Sequence, residues 1–106
     1  MIKNLPPIES ISKLGYYKLF ELKKSLKRKI STRTKNLQDA ENERDKIKIQ
    51  YGEPKNALEQ ADISLAENKV VEINAEIFIL NNYLNKVNKY LEPMLKELDL
   101  VQPGNN

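Results

Sequence analysis

The stretch of this chain with the clearest chemical signature is Lys23-Lys24-Ser25-Leu26-Lys27-Arg28-Lys29-Ile30. Widened to Lys13–Lys35, it gathers nine bases against one acid, Glu21. Cations at that density attract a phosphate backbone without reading its bases. Acidic lipid headgroups or an acidic protein face offer the same attraction. The candidate contacts are Lys23, Lys24, Lys27, Arg28, Lys29, Arg33 and Lys35. Tyr16, Tyr17 and Phe20 lie close by and offer rings on which bases stack, although aromatics at helical spacing more often belong to a core. The competing reading is a solvated helix face, neutralised in part by the half from Glu53 to Asp99, which holds nine acids and five bases.

Catalytic chemistry has little to stand on. The chain has no histidine and no cysteine, so it lacks the commonest general base and any thiolate nucleophile. It also lacks a glycine-rich phosphate loop and a serine nucleophile elbow. Glu72 and Glu76 share a helix face at i, i+4, but carboxylate metal sites in bundles normally add Glu-x-x-His, which is missing. Those two acids read as ion-pair partners or solvated surface. We therefore expect a non-enzyme with no cofactor and no small-molecule substrate.

The elements that carry these residues are long helices. Counting in sevens from Ile63 gives Ile63, Val70, Ile77, Leu84, Leu91 and Leu98. Counting from Ala66 gives Ala66, Ile73, Leu80, Val87, Met94 and Val101. All twelve are apolar, an a/d seam sustained over more than five heptads. Before it, a second and less regular pair of rows runs Tyr16, Lys23, Ile30, Leu37, Arg44, Tyr51 and Leu19, Leu26, Arg33, Ala40, Ile47. Lys23, Arg33 and Arg44 interrupt it and need counter-charges or a route to solvent.

Gly52-Glu53-Pro54 separates the two helices, glycine supplying a left-handed residue and proline an end to the helix. So short a turn predicts antiparallel neighbours. The expected fold is all-α: an antiparallel, coiled-coil-like hairpin over 10–101, turning at 52–54, with helices near 10–51 and 55–91. A start at Ser10, capped by Ser10 or Ser12, is favoured over one at Tyr16, Gly15 being the weak point between them. Pro93 predicts a kink or restart, then a short C-terminal helical segment. Residues 1–9, with Pro6-Pro7, read as an extended arm, and 102–106 as a disordered tail. With the turn at Glu53, residue i faces roughly residue 106−i. Arg33 then falls near Glu72 and Glu76, Arg44 opposite Asp62, and Lys23 opposite Tyr83.

A two-helix hairpin buries one stripe of each helix. Leu65, Val71, Phe78 and Ile79 lie off the seam of the second helix, and Tyr17 and Phe20 off that of the first. Leaving them wet forgoes roughly 1.5–3 kcal/mol for each large side chain. The folded-back arm, through Leu5 and Ile8, and the segment after Pro93 are candidate covers near Tyr17 and Phe20; the middle of the second helix calls for another chain. The expected role is therefore structural: a scaffold, adaptor or assembly subunit that packs against a second copy of itself or another protein. The alternative is a nucleic-acid-binding protein using the basic face of residues 13–35. The mean hydropathy of −0.64, the lack of cysteine, and an N-terminus unlike a signal peptide lead us to expect an intracellular, cytoplasmic protein without a transmembrane segment.

Overall fold

The computed structural model describes residues 5–101, with side chains as far as residue 97. A 3₁₀ turn over Ile8–Lys13 precedes two helices, α1 (Tyr16–Tyr51) and α2 (Ala57–Val101), and the described residues contain no strand. The fold is the expected all-α hairpin, its two long helices packed against each other. Of the α2 seam, Ile63, Val70, Ile73, Leu80, Val87 and Leu91 are buried, while Ala66, Ile77, Leu84 and Met94 are half-buried. Leu98 and Val101 lie outside the described side chains, as the expected tail over 102–106 lies outside the described residues.

The elements begin and end differently from the expectation in three places. The first helix starts at Tyr16, not near Ser10. Ser10 sits inside the 3₁₀ turn, where its hydroxyl donates to the Pro7 carbonyl at 2.8 Å instead of capping a helix. Leu14 is extended (φ −81°, ψ 144°) and Gly15 follows, so the chain changes direction before the long helix begins. The second helix starts at Ala57 rather than at Pro54 or Lys55, because Asn56 is the better cap. Its Oδ1 accepts the Glu59 amide at 2.9 Å, and its Nδ2 donates to the Glu59 carboxylate at 3.3 Å.

Gly52 has the expected left-handed backbone, φ 60°, and its amide donates to the Lys48 carbonyl at 2.9 Å. Pro93, by contrast, neither ends nor restarts α2, which runs through it to Val101 as one element. The proline removes the bond to the carbonyl of Lys89, but both residues are exposed, so water can serve that carbonyl. Buried Leu91 and half-buried Met94 and Leu95 hold the helix on either side.

The chain divides into two compact units. The turn-end unit spans Ile30–Phe78. Its core is Ala40, Val70 and Ile73, with Leu37 and Ile77 packed against them, and Ile63 is buried as well. Polar ties line its margins: Arg33 Nε lies 2.7 Å from Glu76 Oε2, Lys48 Nζ lies 2.9 Å from Glu67 Oε2, and the Tyr51 hydroxyl donates to Asp62 at 2.7 Å. The Arg33–Glu76 pairing agrees with the sequence expectation. Arg44 departs from it, reaching its own neighbour Asp45 at 3.1 Å, while Tyr51 donates to Asp62. These partners lie further along α2 than a turn centred on Glu53 dictates, since the loop runs on through Asn56.

The open-end unit combines the described residues up to Lys29 with those from Ile79 onward. Here three pieces of chain meet. Leu19, Leu22 and Leu26 of α1 and Leu80, Tyr83, Val87 and Leu91 of α2 are buried, together with Ile11 from the 3₁₀ turn. The Tyr83 hydroxyl donates to the Pro6 carbonyl, fastening the arm to α2. The arm is thus tied to α2 at Pro6. The Tyr83 hydroxyl is engaged by the arm, and Lys23, expected opposite its ring, is half-buried.

Candidate functional site

Among the described residues no group of three or more carboxylates is placed to hold a metal ion, and the surfaces to consider next are those the hairpin leaves uncovered. On α2 within the turn-end unit, Leu58, Leu65, Val71 and Phe78 are 75, 68, 64 and 67% exposed. They project from the side of the helix opposite the seam, with exposed Ala61, Asn68 and Ala75 among them. A helix acquires such a face when apolar residues recur at seven-residue spacing off the a/d rows, as Leu58 and Leu65 do, and Val71 and Phe78 do. Glu72 supplies the only charge on this strip. Its neighbour one turn on, Glu76, faces Arg33, so the two acids do not act as a pair.

In the open-end unit, Ile79 is 53% exposed, Tyr17 81% and Phe20 38%. Tyr16 stands between the latter two: its ring meets Tyr17 edge-on at 5.4 Å and stacks on Phe20 at 5.9 Å. Ile11 of the 3₁₀ turn is buried, whereas Tyr17 stays open and Ile8 itself remains 37% exposed. All six expected interface residues, Leu65, Val71, Phe78, Ile79, Tyr17 and Phe20, are therefore exposed. The sequence reading missed two of the same kind, Leu58 and Ile49. Leu58 was findable, lying one heptad before Leu65; Ile49 stands alone on its side of α1 and has no such companion.

The basic residues separate by environment. Lys24, Lys27 and Arg28 are exposed on successive turns of α1 in the open-end unit, and the Lys24 ammonium lies 5.1 Å from the centre of the Phe20 ring. That distance suits a cation–π contact. Lys23 and Lys29 are half-buried in the same unit. Arg33 and Lys35 belong to the turn-end unit, where Arg33 is committed to Glu76 and Lys35 is exposed. Of the seven expected contacts, Lys24, Lys27, Arg28 and Lys35 are exposed, and Lys23, Lys29 and Arg33 are half-buried.

Two tyrosines have perturbed hydroxyls. Tyr51 is raised above the ordinary phenol value, chiefly by its hydrogen bond to the Asp62 carboxylate and by the charges of Asp62 and Glu59. Tyr83 is raised chiefly by burial, with the Glu9 carboxylate adding to it. Both serve as structural hydrogen-bond donors, to Asp62 and to Pro6. Among the described residues no helix is long and apolar enough to cross a membrane. No protein-family model, no curated protein and no solved structure matches the chain.

Proposed function

We propose that this protein is a non-catalytic assembly subunit, a scaffold or adaptor that works by packing its second helix against another helical surface inside the cell. The observation that carries the reading is the uncovered face of Leu58, Leu65, Val71 and Phe78, each more than three-fifths exposed. An apolar strip bearing a single charge is costly to keep in water and is the common mark of a protein contact. The seam does not need these residues, which leaves them free for association. The test is the Phe78→Lys variant. Its helix content should match that of the wild type, because Phe78 lies outside the core, while its mass in solution falls or a bound protein is released. Burial of an aromatic at an interface core is worth about 2 kcal/mol or more, so the change should be plain. Wild-type chain that stays monomeric at high concentration and binds no protein overturns the reading.

A second reading keeps one observation in its favour: Lys24, Lys27 and Arg28 stand on successive turns beside exposed Tyr17. Such a surface suits a polyanion, nucleic acid above all. A salt titration of binding to generic DNA and RNA separates the readings. Neutralised phosphates give a steep fall of log affinity with log salt, and docking through apolar side chains gives a shallow one.

A further inference from the structure

The order of residues along the exposed face of α2 names a partner. Apart from Glu72, seven exposed positions make up the strip opposite the seam: Leu58, Ala61, Leu65, Asn68, Val71, Ala75 and Phe78. Their spacings are 3, 4, 3, 3, 4 and 3, the same from either end. So is their character: large apolar, small, large apolar, amide, large apolar, small, large apolar. We infer that the occupant of this face is a second copy of the chain, lying antiparallel with the two-fold axis passing beside Asn68. This deepens the assembly reading above and rests on it.

The physical case is self-complementarity. A two-fold contact places the same patch on both partners, and an antiparallel one sets residue 68+n level with residue 68−n. Leu58 then shares a layer with the other copy's Phe78, Leu65 with its Val71, and Ala61 with its Ala75. The alanine layers let the two backbones approach, and the larger side chains close over the gaps beside them. At the centre Asn68 meets its own counterpart. A side-chain amide carries both a donor and an acceptor, so two of them on a two-fold axis satisfy each other. A polar pair at one layer also fixes register, because any slip strands both amides against apolar side chains. In a parallel pair of copies the amides would still meet, but the mirror order of large and small residues would have no use.

Charge argues the same way. The strip carries one charge, Glu72, so it offers nothing to a strongly charged partner such as nucleic acid or a lipid headgroup. In the antiparallel pair the two Glu72 side chains sit about four residues to either side of the axis, roughly 12 Å apart along the helices. Lys69 lies between them on that flank and lines a groove that Asp39 and Glu43 border. From Leu58 to Phe78 the strip is about 30 Å long at 1.5 Å per residue. One helix-on-helix contact of that length is at the small end of stable interfaces, so association should set in at concentrations on the order of micromolar.

The chain contains no cysteine, which makes single cysteines unambiguous reporters. Sedimentation equilibrium of the full chain should first show a concentration-dependent dimer, weakened at least tenfold by Phe78→Lys. Under mild oxidation the Asn68→Cys variant should then form a disulfide-linked dimer. Ala61→Cys alone and Ala75→Cys alone should stay unlinked, since each residue lies about 21 Å along the axis from its own mate, far beyond disulfide reach. Mixed together, those two variants should link. A dimer in which Ala61→Cys links to itself, or in which the mixture stays unlinked, overturns the antiparallel register while leaving the assembly reading standing. A wild type monomeric at millimolar concentration overturns this inference; if it also binds no other protein, the assembly reading falls with it.

Discussion

The two ends of the hairpin are built from the same helices and yet bury their residues to different depths. In the open-end unit Ile11, Leu19, Leu26, Leu80, Val87 and Leu91 are almost completely shielded from solvent. In the turn-end unit no side chain is shielded so well, and Ala40, Ile63, Val70 and Ile73 stay 4–8% exposed. The difference is the third piece of chain. Two helices touch along a line, and water reaches both edges of that line; a turn laid across one edge, as Ile11 is, closes it. Where nothing lies across, the edges are held by Arg33–Glu76, Lys48–Glu67 and Tyr51–Asp62 instead. Such ties are partly open to solvent and worth little each. The less well shielded unit is also the one whose helix keeps a large apolar strip uncovered.

The largest effect that tests this contrast is a charge in each core. Leu80→Asp places a carboxylate among fully buried side chains and should abolish cooperative melting, an unpaired buried charge costing several kcal/mol against a total of about 5–15. Ile77→Asp, at a half-buried position of the turn-end unit, should lower the melting temperature and leave a cooperative transition. Equal losses in thermal melts followed by circular dichroism would erase the distinction.

A finer comparison uses one residue type. Ile11→Ala and Ile73→Ala remove the same atoms from sites 0% and 8% exposed. Both fall in the usual range of about 2–5 kcal/mol for such truncations, and Ile11 should be the costlier by about 1 kcal/mol, because its cavity is sealed on all sides. Urea denaturation of the two variants measures the gap, and a larger loss at Ile73 would reverse the ranking.

At the turn itself, Gly52→Val should cost roughly 1–2 kcal/mol from backbone strain alone. The residue has φ 60°, and a Cβ built there meets nothing within 4 Å, so no steric term is added. Gly52→Asn should recover much of the loss, since asparagine tolerates the left-handed region; a similar cost for both variants would point away from dihedral strain.

The smallest effect is on pH. Tyr51 and Tyr83 both have hydroxyls raised above 10.0 in the folded chain. The stability this represents is fully present below the unfolded value and is lost as pH rises through the folded one. Melting temperature should therefore hold up to about pH 10, the unfolded phenol value, and fall as pH rises beyond it. Tyr83→Phe, which removes the buried phenol, should flatten that fall more than Tyr51→Phe does; the opposite order would put the sensitive group at the turn.

The seam was legible because a 3.5-residue repeat carried by Ile63, Val70, Ile73, Leu80, Val87 and Leu91 has few rival explanations. The exposed set was legible for the complementary reason: Val71 and Phe78 have no place on that repeat. What stayed hidden depends on contacts between residues far apart in the chain. Nothing local marks Ile11 as the best-buried residue of the arm, since its burial comes from helices that begin later. Ser10 offers a plausible cap, yet the 3₁₀ turn takes its hydroxyl for Pro7. Asn56 outcompetes Pro54 by two hydrogen bonds to Glu59 that no propensity scale records. Pro93 is absorbed because its exposed side costs little, a matter of rotation about the helix axis that the letter alone does not give.

The Tyr83 hydroxyl and the Pro6 carbonyl that it holds are 77 residues apart in the chain. That separation sets an order of events during synthesis. The turn-end unit is one continuous run, Ile30–Phe78, and can close as soon as that run has emerged. The better-sealed unit draws on both arms of the hairpin and pays a far longer loop closure before its contacts return anything. A nascent chain therefore passes through an interval in which its weaker half is folded and the residues up to Lys29, basic tract included, still wait for their partner helix. For that interval the apolar strip on α2 is already on display, and neighbouring chains on one message can meet through it before either has finished folding.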